Sequence, residues 1–169
     1  MPKVHYVKAN KDNACVKKGE MYYHWGFFRG PKLMSKTPPR QSQLTQQEAL
    51  SQAHSVYETL SDTLSQKSLS AAHITSACDD AAEAMDEAIE LVSETINNLE
   101  DAFQGGCPAL EEKQEQLDNF ESFKSECEDA ANEIEALDNF EDEEKLNDDS
   151  KQELIEAALE IAQALSPSY

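Results

Sequence analysis

The side chains able to do chemistry in this chain are four histidines, four cysteines and a large excess of carboxylates. His5, His24, His54 and His73 are scattered, and His54 and His73 fall among polar helical positions, where a solvent-facing imidazole is the expected role. Cys15, Cys78, Cys107 and Cys127 are widely spaced and form no CxxC pair. Zinc ligation wants paired ligands at short spacing. Cys15 with His24 is the nearest such couple, and no metal is expected there. The sequence has no P-loop, dinucleotide fingerprint, HExxH or nucleophile motif. Carboxylate pairs occur everywhere, but an acid/base pair needs one carboxyl with a raised pKa in a pocket. No catalytic residue, cofactor or enzymatic activity is expected.

The carboxylates themselves are the second kind of candidate. Asp79, Asp80, Glu83, Asp86, Glu87, Glu90 and Glu94 recur at steps of three and four, and no Lys or Arg occurs between Ser68 and Glu112. On a helix this spacing stacks negative charge along one side, about 5–6 Å apart. That is similar in scale to the phosphates of a nucleic-acid strand, so such a helix could act as a DNA mimic in a basic groove of another protein. A solvated face that keeps a bundle soluble explains the same pattern. Repulsion at this spacing costs only about 0.2–0.5 kcal/mol per pair, so the charge alone does not decide.

The third candidate is the stretch 18–40, KGEMYYHWGFFRGPKLMSKTPPR, with five of the 12 aromatic residues, the only tryptophan and five of the 14 basic residues. Tyr22, Phe28 and Arg29 are the side chains expected to face a partner. Met21, Tyr23, Trp25 and Phe27 alternate on the other side and are expected to pack on helices. Aromatic rings between basic residues also suit stacking of single-stranded nucleic acid, although an acidic neighbour would oppose it.

The elements that must position these groups follow from charge and periodicity. Residues 1–45 hold nine Lys/Arg against Asp12 and Glu20, a net of +7; residues 46–169 hold five Lys against 32 Asp/Glu, a net of −27. The 169-residue chain is therefore electrically bipolar, with a net charge of −20, which disfavours nucleic acid and anionic membranes for the chain as a whole. The N-terminus lacks the apolar segment of a secretory signal, no apolar run reaches the roughly 20 residues that span a bilayer, and the cysteines are expected to be free thiols in a reducing compartment.

Two segments are expected: 1–44, basic and aromatic, with a β-hairpin, and 45–169, an acidic helical bundle. The first dozen residues read as loosely held. A strand from Glu20 to Phe28 turns at Arg29-Gly30-Pro31-Lys32 and returns over Leu33 to Thr37. Thr45-Gln-Gln-Glu48 reads as a capping box for a helix with Leu50, Ala53, Tyr57, Leu60 and Leu64 on one face. A second helix spans about Ala71 to Phe103, with a seam of Ile74, Cys78, Ala81, Met85, Ala88, Ile89, Val92, Ile96, Leu99 and Phe103. Gly105-Gly106-Cys107-Pro108 stops it and starts a third, with Leu110, Leu117, Phe120, Cys127, Ala131, Ile134 and Leu137 inward. Asp138 to Asp149 is an acidic connector, and Ser150 caps a last helix. The expected fold is mostly α: an elongated antiparallel bundle of about four helices with a small N-terminal β-hairpin packed on it.

The segments KKGEMYYHWGFF (17–28), SKTPPRQSQLTQQE (35–48) and CEDAANEIEALD (127–138) together resemble a family of uncharacterised small proteins of tailed bacteriophages. Its members open with a Lys-Gly-Glu-Tyr-Tyr-Trp type hairpin followed by a Ser-Lys-Thr-Pro-Pro-Arg-x-Ser-Gln-Leu-Thr signature, ahead of an acidic coiled-coil half. The resemblance covers most of the chain and is most specific over 17–48. It departs in the turn after Leu99, where Glu100 to Gly105 replaces a proline-containing turn. It implies a phage origin, a coiled coil and residence in the cytoplasm of an infected bacterium, and it carries no activity or site residues. Together these features lead to the expectation of a non-catalytic accessory protein. It would bind a host protein with a basic surface through Asp80, Glu83, Glu87, Glu90 and Glu94, with the hairpin as a second contact, and inhibit a defence or nucleic-acid-processing factor. Two alternatives stand beside it: nucleic-acid binding through the hairpin, and a structural coiled-coil component that self-associates as a homo-oligomer.

Overall fold

A computed structural model describes residues 1–28, 30–103, 107–138 and 140–167. The chain is mostly α, with four long helices and a small antiparallel sheet at the N-terminus. The sheet has one strand more than the hairpin expected. β1 (His5–Lys8), β2 (Met21–Gly26) and β3 (Lys32–Ser35) lie side by side in sequence order. His5 to Lys8 pair with His24 to Met21, and Tyr23 to Gly26 pair with Ser35 to Lys32. Within the first dozen residues, expected to be loosely held, His5 to Ala9 are thus tied into the ladder. His5, Tyr6 and Val7 favour a pleated surface, and two hairpin-end bonds, Ala9 N to Glu20 O and Gly19 N to Ala9 O, both at 2.8 Å, lengthen the ladder. Gly19 adopts φ +97°, a left-handed conformation that glycine enters without a Cβ clash.

The loop between β1 and β2 is built on side-chain acceptors. The Asn13 carboxamide oxygen accepts from the amides of Cys15 and Val16, each at 2.9 Å. Asp12 accepts from the Lys18 amide at 2.7 Å and Glu20 from the Lys17 amide at 3.0 Å.

The helices are α1 (Glu48–Leu64), α2 (Ala71–Ala102), α3 (Pro108–Glu135) and α4 (Asp148–Gln163). At 1.5 Å per residue α2 is a rod of roughly 48 Å. It packs along α1 on one side and α3 on the other, and α4 closes against all three. α2 and α3 form an antiparallel hairpin, with Cys78 near Cys127 and Asp86 paired with Lys124. Pro108 stands at the first turn of α3, where its missing N–H costs nothing. The two glycines expected to stop α2 lie outside the described residues.

The apolar seams assemble as the periodicity predicts, with local differences. Ile74, Cys78, Met85, Ala88, Val92, Phe120, Cys127 and Ile134 are fully buried, joined by Phe123, which the sequence reading left out. Phe103 is 53% exposed, because the helix ends one residue before it. The helix starts also move. α1 begins at Glu48 behind Gln47, so Thr45 makes no capping box; its hydroxyl only receives the Gln47 amide at 3.4 Å. Asn147, not Ser150, caps α4, its carboxamide oxygen accepting from the Ser150 amide at 2.9 Å. The acidic connector contains a 3-10 segment, Phe140–Lys145, whose Glu143 is buried and accepts from the Ala71 amide at the start of α2 at 3.1 Å. A carboxylate there also meets the positive end of the helix dipole.

The sheet does not lie flat on the helices. Of Met21, Tyr23, Trp25 and Phe27, only Trp25 is buried, and Met21 is exposed. A short 3-10 segment, Gln41–Leu44, stands between the two halves. The Trp25 indole N–H donates to the Gln43 carbonyl at 3.2 Å. Ser42 is held by Glu58 of α1, through its hydroxyl at 2.7 Å and its amide at 3.2 Å. Arg40 pairs with Asp62 at 2.7 Å. The Trp25 ring and this polar clamp both contribute to the junction.

Candidate functional site: the acidic face of α2

The apolar seam of α2 faces α1 and α3, so the acidic residues at intervening positions must point outward. Asp79, Asp80, Glu83, Asp86, Glu87, Glu90 and Glu94 are all exposed. From Asp79 to Glu94 the row runs about 22 Å along the helix axis. The structure therefore brings Asp80, Glu83, Glu87, Glu90 and Glu94 onto one continuous surface.

Neighbouring helices trim its edges. Lys124 of α3 reaches across to Asp86 and lies 3.8 Å from Glu128. Those carboxylates hold the Lys124 ammonium above its ordinary pKa, chiefly through the Asp86 hydrogen bond, against some desolvation. On the α1 side, the Gln52 carboxamide donates to Glu87 at 2.8 Å. Among the described residues, Asp79, Asp80, Glu83, Glu90 and Glu94 make no ion pair. The absence of basic residues along α2 itself predicts a bare row. Lys124 was invisible to that reasoning because it arrives from 38 positions downstream.

Asp80 also borders an open groove of about 450 Å³ between α1 and α2, lined by Val56, Thr59, Leu60, Ala77 and Ala81. His73 lies at its end, where its ring nitrogen Nδ1 is 2.9 Å from the Ser70 hydroxyl. That hydroxyl also accepts the His73 amide at 3.2 Å, so the Ser–His contact is a helix cap. His54 is half-buried rather than solvent-facing, and desolvation holds its imidazole below the ordinary value, with Glu58 opposing. Among the described residues no cluster of three or more His, Cys, Asp or Glu side chains is arranged to hold a metal ion. The Cys15 thiol instead donates to the Met34 carbonyl at 3.2 Å. No described helix is long and apolar enough to cross a membrane.

The hairpin candidates sit in the other half of the chain. Tyr22 is half-buried on β2, its ring 5.9 Å from that of His24. Phe28 lies beyond the end of β2 and is 87% exposed, at the rim of a cleft of about 480 Å³ shared with Phe27, Leu44, Leu50 and His54. Arg29 lies outside the described residues. The sequence reading missed β1, which brings His5 onto the Tyr22 side; the run His-Tyr-Val was the available signal.

No protein-family model, curated protein or solved structure matches this chain.

Proposed function

We propose that this is a non-catalytic accessory protein of a bacteriophage, acting in the infected cell by binding a host protein that presents a basic surface. The acidic face of α2 is the binding element, and the target is a defence or nucleic-acid-processing factor that the contact inhibits. The observation that supports this reading is the exposed row of carboxylates on one rigid helix, of which Asp79, Asp80, Glu83, Glu90 and Glu94 have no cationic partner within the described chain. A helix anchored along its whole seam holds such charges at fixed spacing, so little ordering entropy is lost on docking. Charge complementarity of this kind speeds encounter and selects partners more than it adds affinity. The phage setting comes from the resemblance of residues 17–48.

A pull-down from bacterial lysate tests it, with the native chain beside a variant carrying Glu83→Lys, Glu87→Lys, Glu90→Lys and Glu94→Lys. The native protein should retain a partner that the variant loses, and moderate salt should release it. An unchanged set of partners after charge reversal would remove the acidic face from the reading. Sedimentation of the native protein addresses self-association: a stable oligomer with no captured protein would favour the structural alternative.

A further inference from the structure

In an antiparallel sheet, residues directly opposite one another share a face. The register therefore puts His5, Val7, Tyr22, His24, Lys32 and Met34 on one side of the N-terminal sheet. The His5 and His24 rings stack with centroids 5.0 Å apart and planes 18° from parallel, and Tyr22 adjoins His24 at 5.9 Å. This is a row of aromatic rings beside an ammonium group.

The positive groups here lack counter-charge. Residues 1–45 contain two carboxylates, Asp12 and Glu20. Both are engaged by loop amides, at Lys18 and Lys17, and Glu20 also lies 4.0 Å from Lys36. Among the described residues Lys3, Lys8, Lys11, Lys17, Lys18 and Lys32 make no ion pair. Partial burial, then His5, then Lys32 hold the His24 imidazole below its ordinary pKa. The groups facing it are His5 from β1, Tyr22 on its own strand and Lys32 from β3, with the Cys15 thiol of the β1–β2 loop on the Met34 carbonyl beside it. No carboxylate is among them. An anion laid on this face would relieve the mutual repulsion.

Its shape limits what that anion is. His5, Lys32 and Met34 are exposed, and Tyr22 and His24 are half-buried. The face is open, and suits an extended ligand better than an enclosed metabolite. We propose that the His5–Tyr22–His24–Lys32 face binds single-stranded nucleic acid, with phosphodiester charges on the imidazoles and Lys32 and a base stacked on the rings. Rings with interspersed cations are the usual means of holding a single strand without sequence preference. The inference stands apart from the acidic face of α2. The helical half, with a net of −27, repels any strand that extends over it, so binding is confined to short segments and is weak and salt-sensitive.

The test is a fluorescence-anisotropy titration of the full chain against labelled oligothymidine of about eight nucleotides, within the usual site size of such surfaces. It is run at low salt at pH 6 and pH 8. Affinity should be about tenfold higher at pH 6, where a bound phosphate favours the protonated His24 imidazole, a change equivalent to one pKa unit. Lys32→Glu should weaken binding at both pH values. His5→Gln should weaken binding at both pH values, because it removes one of the stacked rings from the face. Emission from Trp25, the only tryptophan, reports whether the sheet of each variant is folded; if Lys32→Glu disturbs it, the exposed edge-strand variant His5→Gln carries the test. No anisotropy change at millimolar protein and pH 6 overturns the proposal, as does equal affinity in a folded Lys32→Glu variant. Displacement by polyglutamate as effective as by unlabelled oligothymidine also overturns it, since a generic polyanion site needs no base stacking.

Discussion

The two halves of the molecule are held in different ways. The helical half has one continuous apolar core running from Ala49 to Leu165, with Phe120, Phe123, Ile74 and Met85 fully enclosed. Among the described residues, the sheet half buries only Ala9, Val16 and Trp25, and none of the three belongs to that core. Its order rests on ladder hydrogen bonds, on a loop tied by Asp12, Asn13 and Glu20, and on the Trp25–Gln43 contact. Burial of apolar area is the dominant favourable term in folding, and a few strands with little burial are marginal in water. The sheet is therefore the part that opens first, and the bundle is the scaffold. The contrast suits the charges each half carries: a fixed acidic row on the rigid part, and a loosely docked cationic surface on the adaptable one.

Thiol labelling gives the largest expected contrast. Burial pushes the Cys78 thiol up to about 11 and Cys127 to about 12, with neighbouring charges adding to the effect. Cys15 and Cys107 are only half-buried. At pH 8 a maleimide should modify Cys15 and Cys107 promptly. Cys78 and Cys127 should react at least about 1000-fold more slowly, the factor set by a global stability of about 5 kcal/mol or more. Four thiols reacting at one rate would mean that the bundle core is not closed.

Deleting a core ring comes next. Phe120→Ala should cost about 3–5 kcal/mol, seen as a lower urea midpoint for the loss of helical circular dichroism. It should also release the protection of Cys127. A change below about 1 kcal/mol would mean that the bundle is not cemented at Phe120.

Trp25→Phe keeps an aromatic ring and removes the indole N–H that donates to Gln43, a loss of about 1 kcal/mol. The effect should be local: faster amide exchange across β2 and β3, with the helical melting curve unchanged. A matching fall in helix stability would show that the halves fold as one unit.

The smallest effect is that of pH on the sheet. The folded state holds the His24 imidazole below its ordinary pKa, so the unfolded chain binds the proton more readily. By linkage, the sheet keeps full stability above the unfolded value of about 6.5 and loses some as pH falls below it. Amide exchange in β1 and β2 should quicken from pH 7 to pH 5.5 once the intrinsic rate is corrected, and His24→Gln should flatten the dependence. A sheet that instead tightens on acidification would mean that a carboxylate partner faces His24.

What the sequence determined by itself is the bundle and its acidic row. Period-3.6 seams at Ile74, Cys78, Met85 and Val92 force one side of α2 inward, and the carboxylates at the intervening positions are then exposed by geometry alone. The break at residues 105–108 makes the α2–α3 hairpin legible, since glycine and proline cannot continue a helix cheaply. The tertiary structure decided what depends on partners distant in sequence. β1 forms because β2 lies beside it, Lys124 covers Asp86 because α3 folds back along α2, and Glu143 is buried because it receives the first amide of α2. The same reason separates Trp25 from Met21 and Tyr23. Alternation puts all three on one side of a strand, but Trp25 is the one whose indole bonds the Gln43 carbonyl, and it is the one that is buried.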